Sequence, residues 1–250
     1  GVTWSTPQRV DHRTGIDVIR FQDRFLAFTG GGSFACPVTC GVAEGRVFAS
    51  NDLGSWQQVG VGFSSLGPVS VATNGTRIVA ARCCVSFLHG PYILNGFATS
   101  EDGETWAEVS IPETLPATTK IVWTGSRFVA TGGGVVMDSA DGLSWSVISR
   151  SSRSLTSLAW TGAGFVGSGM WGSFPFVASS GDGGEWSVTW PFLQPRVLTD
   201  PTQPLVFDRE RPIGAVAGTA RLQVAVGPGG TLLRRECVPE PMTGLRRPLS

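Results

Sequence analysis

The sequence predicts an all-β fold: a single five-bladed β-propeller of four-stranded antiparallel blades, its ring closed by pairing the N-terminal strand with the C-terminal blade. Three observations carry this expectation. A motif with Ser two residues before Asp and Trp four residues after it occurs four times, as SNDLGSW (Ser50 to Trp56), SEDGETW (Ser100 to Trp106), SADGLSW (Ser139 to Trp145) and SGDGGEW (Ser180 to Trp186). A second unit, a polar turn between two apolar stretches, precedes each copy, as in NGTRIVA, TGSRFVA and TGAGFVG. The chain opens on GVTW, which reads as the second half of the motif without its first half.

The composition fits short strands joined by tight turns. Among 250 residues there are 34 Gly, 14 Phe and 9 Trp, with 41% hydrophobic and 15% charged residues, enough to bury a sizeable core. Lys and Arg number 19, as do Asp and Glu, so no basic excess is present to neutralise a phosphate backbone, and nucleic acid is not an expected partner. Lys120 is the only lysine. No stretch approaches the ~20 apolar residues of a membrane helix, so membrane insertion is not expected.

Taken in order, residues 1–7 (GVTWSTP) form an unattached fourth strand, and the blades span approximately 14–60, 68–112, 118–150, 154–190 and 212–236. The motif's Asp residues are Asp52, Asp102, Asp141 and Asp182, separated by 50, 39 and 41 residues. A period near 40 with strand-like content is what a propeller blade requires, because one four-stranded sheet cannot bury both of its faces alone. Turns such as the TGS of IVWTGSRFVA join the first and second strands of a blade. The motif joins the third and fourth: its Asp accepts hydrogen bonds from turn N–H groups, its Gly takes a positive φ, and its Trp packs at the start of the fourth strand. After Trp186 three more strands are legible near 213–218, 222–227 and 231–235, but the sequence then gives CVPEPMTGLRRPLS and no fourth. The strand holding Trp4 supplies it, which sets the count at five, with 237–250 as a tail.

The repeated motif resembles the Asp-box, or BNR repeat, of sialidases and related propellers. The resemblance implies a structural role for Ser50, Asp52, Trp56, Ser100, Asp102, Trp106, Ser139, Asp141, Trp145, Ser180, Asp182 and Trp186, away from an active face. It does not extend to a sialidase active site. The sequence has no FRIP segment, its sole tyrosine is Tyr92 in an insertion, and it reads as five blades where sialidases have six.

Strand alternation places the first-to-second turns and the motif turns on one face, and the second-to-third loops and interblade connections on the other. The large insertions all fall on the second, loop face: GGSFACPVTCGVAEG in blade one, CCVSFLHGPYILNG in blade two, MWGSFP in blade four, and the connection from Pro191 to Pro212. Long loops on one face of a rigid scaffold are where function concentrates. Phe87, His89, Tyr92 and Trp171 are the candidate binding residues there, with aromatic rings suited to stacking on a sugar or anchoring a protein. His12 falls on the same face, and a metal site built from these Cys and His residues is a further alternative. Cys36 and Cys40 face Cys83 and Cys84 across neighbouring insertions, and at least one disulfide among the four is expected, with its connectivity open. Cysteine pairing of this kind suits a secreted, extracellular or periplasmic protein, with any signal segment outside this sequence. The sequence therefore predicts a monomeric binding or scaffold propeller for a protein or glycan ligand, with no cofactor and, in the main reading, no enzymatic activity. The alternative is a carbohydrate-active enzyme drawing on Asp200, Asp208 and Glu210, with carboxylates converging on a central funnel.

Overall fold

The computed structural model of the chain describes residues 9–11, 14–30, 45–63, 67–83, 95–113, 120–172, 174–190, 213–227 and 232–236. They form five antiparallel sheets in chain order. Blade one is β1 (Thr14–Phe21), β2 (Arg24–Gly30), β3 (Gly45–Ser50) and β4 (Gln57–Phe63). Blade two is β5 (Gly67–Thr73), β6 (Ile78–Cys83), β7 (Asn95–Ser100) and β8 (Ala107–Val109). Blade three is β9 (Lys120–Trp123), β10 (Phe128–Gly132), β11 (Val135–Ser139) and β12 (Ser146–Arg150). Blade four is β13 (Ser154–Trp160), β14 (Phe165–Trp171), β15 (Phe174–Ser180) and β16 (Ser187–Thr189), and blade five is β17 (Ala215–Gly218), β18 (Leu222–Val226) and β19 (Leu232–Glu236). The strand expected to complete blade five, with Trp4, lies outside the described residues.

The first strands of successive blades lie against one another, β1 on β5, β5 on β9, β9 on β13 and β13 on β17, so they form the inner wall of a propeller. At three seams one inner-strand side chain accepts a hydrogen bond from the next blade's backbone. Asp17 accepts from the Val71 N–H (3.3 Å), Ser70 Oγ from the Ile121 N–H (3.2 Å) and Ser157 Oγ from the Val216 N–H (3.2 Å). Each acceptor follows a register shift in its own strand, between Gly15 and Asp17, Pro68 and Ser70, and Leu155 and Ser157. The bulge turns the side chain toward the neighbouring blade.

The apolar core is divided among the seams rather than pooled at the centre. Phe21, Leu26 and Phe28 of blade one pack with Val71, Ile78 and Ala98 of blade two. Val79, Ala81 and Phe97 of blade two pack with Ile121, Phe128 and Met137 of blade three, and Val129 and Val136 pack with Leu158, Phe165 and Phe176 of blade four. A middle strand is therefore covered on both faces, and all five residues of β10 are buried. Between blades four and five a groove of about 480 Å³ remains, lined in part by Val177, Ala178, Val224 and Leu233.

The four repeated turns share one hydrogen-bond scheme. In the first, the Ser50 hydroxyl donates to Asp52 Oδ1 (3.1 Å) and accepts the Leu53 N–H (2.8 Å), while Asp52 Oδ1 accepts the N–H groups of Gly54 (2.8 Å) and Ser55 (2.9 Å). Asp102, Asp141 and Asp182 accept from Glu104, Leu143 and Gly184 in the same way, each at 2.8 Å. The residue after each Asp has a positive φ: Leu53 at 61°, Gly103 and Gly142 at 78°, and Gly183 at 88°. The tryptophans act across the seams. Trp106 meets Phe28 of blade one (5.9 Å between ring centres) and Trp145 meets Phe97 of blade two (4.5 Å), both nearly edge-to-face.

The first-to-second turns also repeat. Asn74, Thr124, Thr161 and Thr219 each donate a backbone N–H to the carbonyl three residues on, at 3.1, 2.9, 2.9 and 2.7 Å. Arg24 reaches from the blade-one turn to the Asp102 carbonyl (2.6 Å), and Arg127 reaches from blade three to the Asp182 carbonyl (2.7 Å). These bonds tie the turn face of one blade to the next.

Candidate functional site

On the loop face the described residues converge at blade four. The segment MWGSFP is not a loop insertion: β14 continues through Trp171 and β15 begins at Phe174, with Met170 opposite Pro175 and Trp171 opposite Phe174. The strands extend because Trp171 and Phe174 are a favourable aromatic cross-strand pair and Gly172 takes a positive φ of 59° in the turn. Trp171 is consequently carried to the tip of a hairpin, 52% exposed, with Phe174 37% exposed beside it.

Three residues that sequence reasoning missed, Trp190, Phe176 and Arg153, complete the surface. Trp190 follows β16, and its ring centre lies 6.0 Å from that of Trp171 at an interplanar angle of 57°. Phe176 is buried below and meets the Trp190 edge at 5.6 Å and 62°. Phe176 itself lies over Gly169, its cross-strand partner, where an added Cβ would sit 2.7 Å from the Phe ring. Arg153, in the connection from β12 to β13, places its guanidinium carbon 6.0 Å from the Trp190 ring centre. Its backbone N–H donates to Ser151 Oγ (3.1 Å), and the Ser151 N–H donates to the Gly134 carbonyl (2.7 Å), which fixes this short connection. A cleft of about 210 Å³ between blades three and four runs from Arg150, Ser151 and Arg153 down to Phe176 and Trp186. The available signal for Trp190 was a tryptophan at the loop-face end of a fourth strand; Arg153 had none beyond its place in an interblade connection.

Asp17 is a second feature. It is the one carboxylate on the inner strands among the described residues. Burial pushes its carboxyl above the usual range, against the opposing pull of the Val71 N–H and of the Lys120 charge. Its signal was available as the lone charge inside the apolar run GIDVI. The motif carboxylates behave in the opposite way. The N–H groups of Ser55 and Gly54 hold Asp52 down at about 2. Asp102 is also lowered, its turn N–H groups outweighing burial, and the N–H groups of Ser144 and Leu143 lower Asp141 while that of Gly184 lowers Asp182. Such groups are ionised and bonded inward, which suits turn building rather than proton transfer.

Phe87, His89, Tyr92, His12, Cys36, Cys40, Cys84, Asp200, Asp208 and Glu210 lie outside the described residues. Cys83 ends β6, and only its backbone is described. Among the described residues no group of three His, Cys, Asp or Glu side chains is placed to hold a metal ion.

The sequence matches no protein-family profile and no curated protein. The chain is similar to many solved structures, among them the following three. An exo-β-1,3-galactanase from Phanerochaete chrysosporium shares 12% identity at a TM-score of 0.47, with 72% of this chain and 50% of that one covered. For the Penicillium chrysogenum α-L-arabinanase complexed with arabinobiose the values are 13% and 0.42, with 70% and 56% covered. For a protein described as a glycoside hydrolase they are 13% and 0.46, with 95% and 90% covered. The chain thus spans about half the length of the galactanase and the arabinanase. At these identities and TM-scores the likeness assigns no activity to this chain.

Proposed function

We propose that this protein is a carbohydrate-recognising propeller that holds a glycan on the loop face of blade four. The observation that carries the reading is the exposed Trp171 ring beside Trp190, propped from below by Phe176. An aromatic ring left in water on a rigid hairpin forgoes the burial that would stabilise the fold. A sugar ring recovers it, because the C–H face of a pyranose covers an indole while its hydroxyls stay available to polar neighbours. A protein ligand is less well served. Two rings and a narrow cleft fall short of the ~800 Å² per partner of a standard protein interface. An extracellular or periplasmic setting belongs to the same proposal and rests on the cysteine pattern. Titration of intrinsic tryptophan fluorescence against a panel of oligosaccharides tests the reading: saturable quenching or a blue shift that Trp171→Ala abolishes supports it, and a panel without response opposes it.

A second reading, glycan cleavage, is favoured by Asp17. A carboxyl on an inner strand whose pKa is raised by burial is suited to donate a proton to a leaving glycosidic oxygen. The reaction also needs a second carboxylate, for which Asp200, Asp208 and Glu210 are the candidates. Release of reducing ends from a bound glycan, lost in Asp17→Asn, would support this reading; a bound glycan left intact over long incubation would restrict the protein to recognition.

A further inference from the structure

We infer that the sugar held on this surface is anionic, and that Arg153 reads its charge; the inference rests on the glycan-binding reading above. Neighbouring arginines at this end of the blades are already committed. Arg46, Arg82 and Arg150, at the loop-face ends of blades one to three, each pair with a carboxylate: Asp11 at 3.9 Å, Glu108 at 3.0 Å, and Glu113 with the Arg150 Nε at 2.9 Å. Arg153 pairs with none among the described residues, and its guanidinium instead lies over the Trp190 ring. The pairing with Arg150 neutralises Glu113, which leaves Arg153 as the cation of the cleft lining with no carboxylate partner among the described residues.

Placement matters as much as charge. The guanidinium is 6.0 Å from the Trp190 ring centre, and Trp190 is 6.0 Å from Trp171, so the cation borders the stacking surface instead of lying remote from it. A sugar stacked on the exposed Trp171 ring extends its ring substituents sideways by one or two bonds, toward Trp190 and the guanidinium over it. A carboxylate at that position meets the planar fork of N–H donors, which matches two carboxylate oxygens at once. Contact with Trp190 pre-orients the guanidinium and limits the rotamer freedom lost on binding. A neutral sugar hydroxymethyl group leaves the same arginine without a charged acceptor, and discrimination follows from that difference. Uronates and sulfated sugars share this chemistry.

Isothermal titration with the intact chain separates the cases, using an oligogalacturonide, the same oligosaccharide after reduction of its carboxyl groups, and a sulfated galactan oligosaccharide. We expect the oligogalacturonide or the sulfated probe to bind at least about tenfold more tightly than the carboxyl-reduced one, as a charge-assisted hydrogen bond gives. The identity of the preferred probe distinguishes carboxylate from sulfate. Arg153→Gln should remove the preference, bringing the charged probe to the affinity of the carboxyl-reduced one, with the melting temperature unchanged because Arg153 is exposed. Equal binding of charged and reduced probes, or a preference that survives Arg153→Gln, would overturn the charge inference and leave glycan recognition standing. Failure of all three probes to bind, together with a silent neutral panel, would overturn both.

Discussion

Replacing Gly142 by Ala tests how the blades are held together. Gly142 follows Asp141 in the blade-three turn, at φ 78°, and its Cα faces the blade-two sheet. An added Cβ would lie 2.6 Å from Val79 Cγ2, 3.2 Å from Arg77 Cδ and 3.3 Å from Phe128 Cε2. Val79 is fully buried in a middle strand and has little room to yield. Two costs therefore combine: about 1–2 kcal/mol for an L-residue in the left-handed region, and about 1–3 kcal/mol for overpacking a formed core. Alanine returns a fraction of a kcal/mol by restricting the unfolded chain, leaving a destabilisation of about 2–4 kcal/mol. For a domain of this size that corresponds to a fall in Tm on the order of 5–15 °C. Gly125→Ala is the control: its φ is 98°, but an added Cβ meets nothing within 4 Å, so only the backbone cost remains. Urea unfolding followed by tryptophan fluorescence reads both, with Trp145 reporting the seam through its contact with Phe97. Equal losses in the two variants would refute the packing of this turn against blade two.

The other predictions use the same turns and the inner wall. Leu53 occupies the position held by Gly in the other three turns, at φ 61° and 49% exposed, so Leu53→Gly should relieve backbone strain and raise stability by up to about 1 kcal/mol in a urea melt; a clear loss would mean that the side chain contributes packing. The lowered motif carboxylates contribute stability that is complete above about pH 4 and lost as pH falls toward their folded values, near 2 for Asp52, so Tm should drop steeply over that window. Asp102→Asn keeps an acceptor oxygen without a titrating charge and should flatten the profile; a wild-type Tm constant between pH 4 and pH 2 would contradict the scheme. Asp17 has the opposite sign: its raised pKa means that ionisation costs stability as pH rises through the folded value. Asp17→Asn retains an acceptor for the Val71 N–H and should hold or raise Tm at pH 7, with the gain vanishing in acid; a lower Tm at pH 7 would show that the charge stabilises the fold.

The repeated features were legible because each is local. Ser50 and Asp52, or Thr124 and Arg127, lie within a few residues of one another, and their turn chemistry follows from residue type and spacing. The all-β, five-sheet architecture followed from counting those turns. What the motif tryptophans touch was not legible, since Trp106 and Phe28 meet only after two blades are stacked. Trp171 was legible as a candidate binding residue, but the surface around it was not, for the same reason. Arg153, Trp171 and Trp190 come from an interblade turn, a hairpin tip and a strand end, and nothing in their spacing predicts that they converge. MWGSFP misled because Gly172 and Ser173 give a turn signal that two flanking aromatics override by pairing across the strands. Asp17 was passed over although a single charge in an apolar strand is a visible anomaly.

Glycan recognition by the aromatic surface is the central claim, and a comparison of wild type with Trp171→Ala by isothermal titration tests it most directly. The substitution removes an exposed ring from a hairpin tip, so the melting temperature should stay close to the wild-type value while affinity for the best-binding oligosaccharide falls roughly tenfold or more, the loss of one stacked indole. An oligosaccharide that binds both proteins equally would place recognition elsewhere on the molecule and contradict the account.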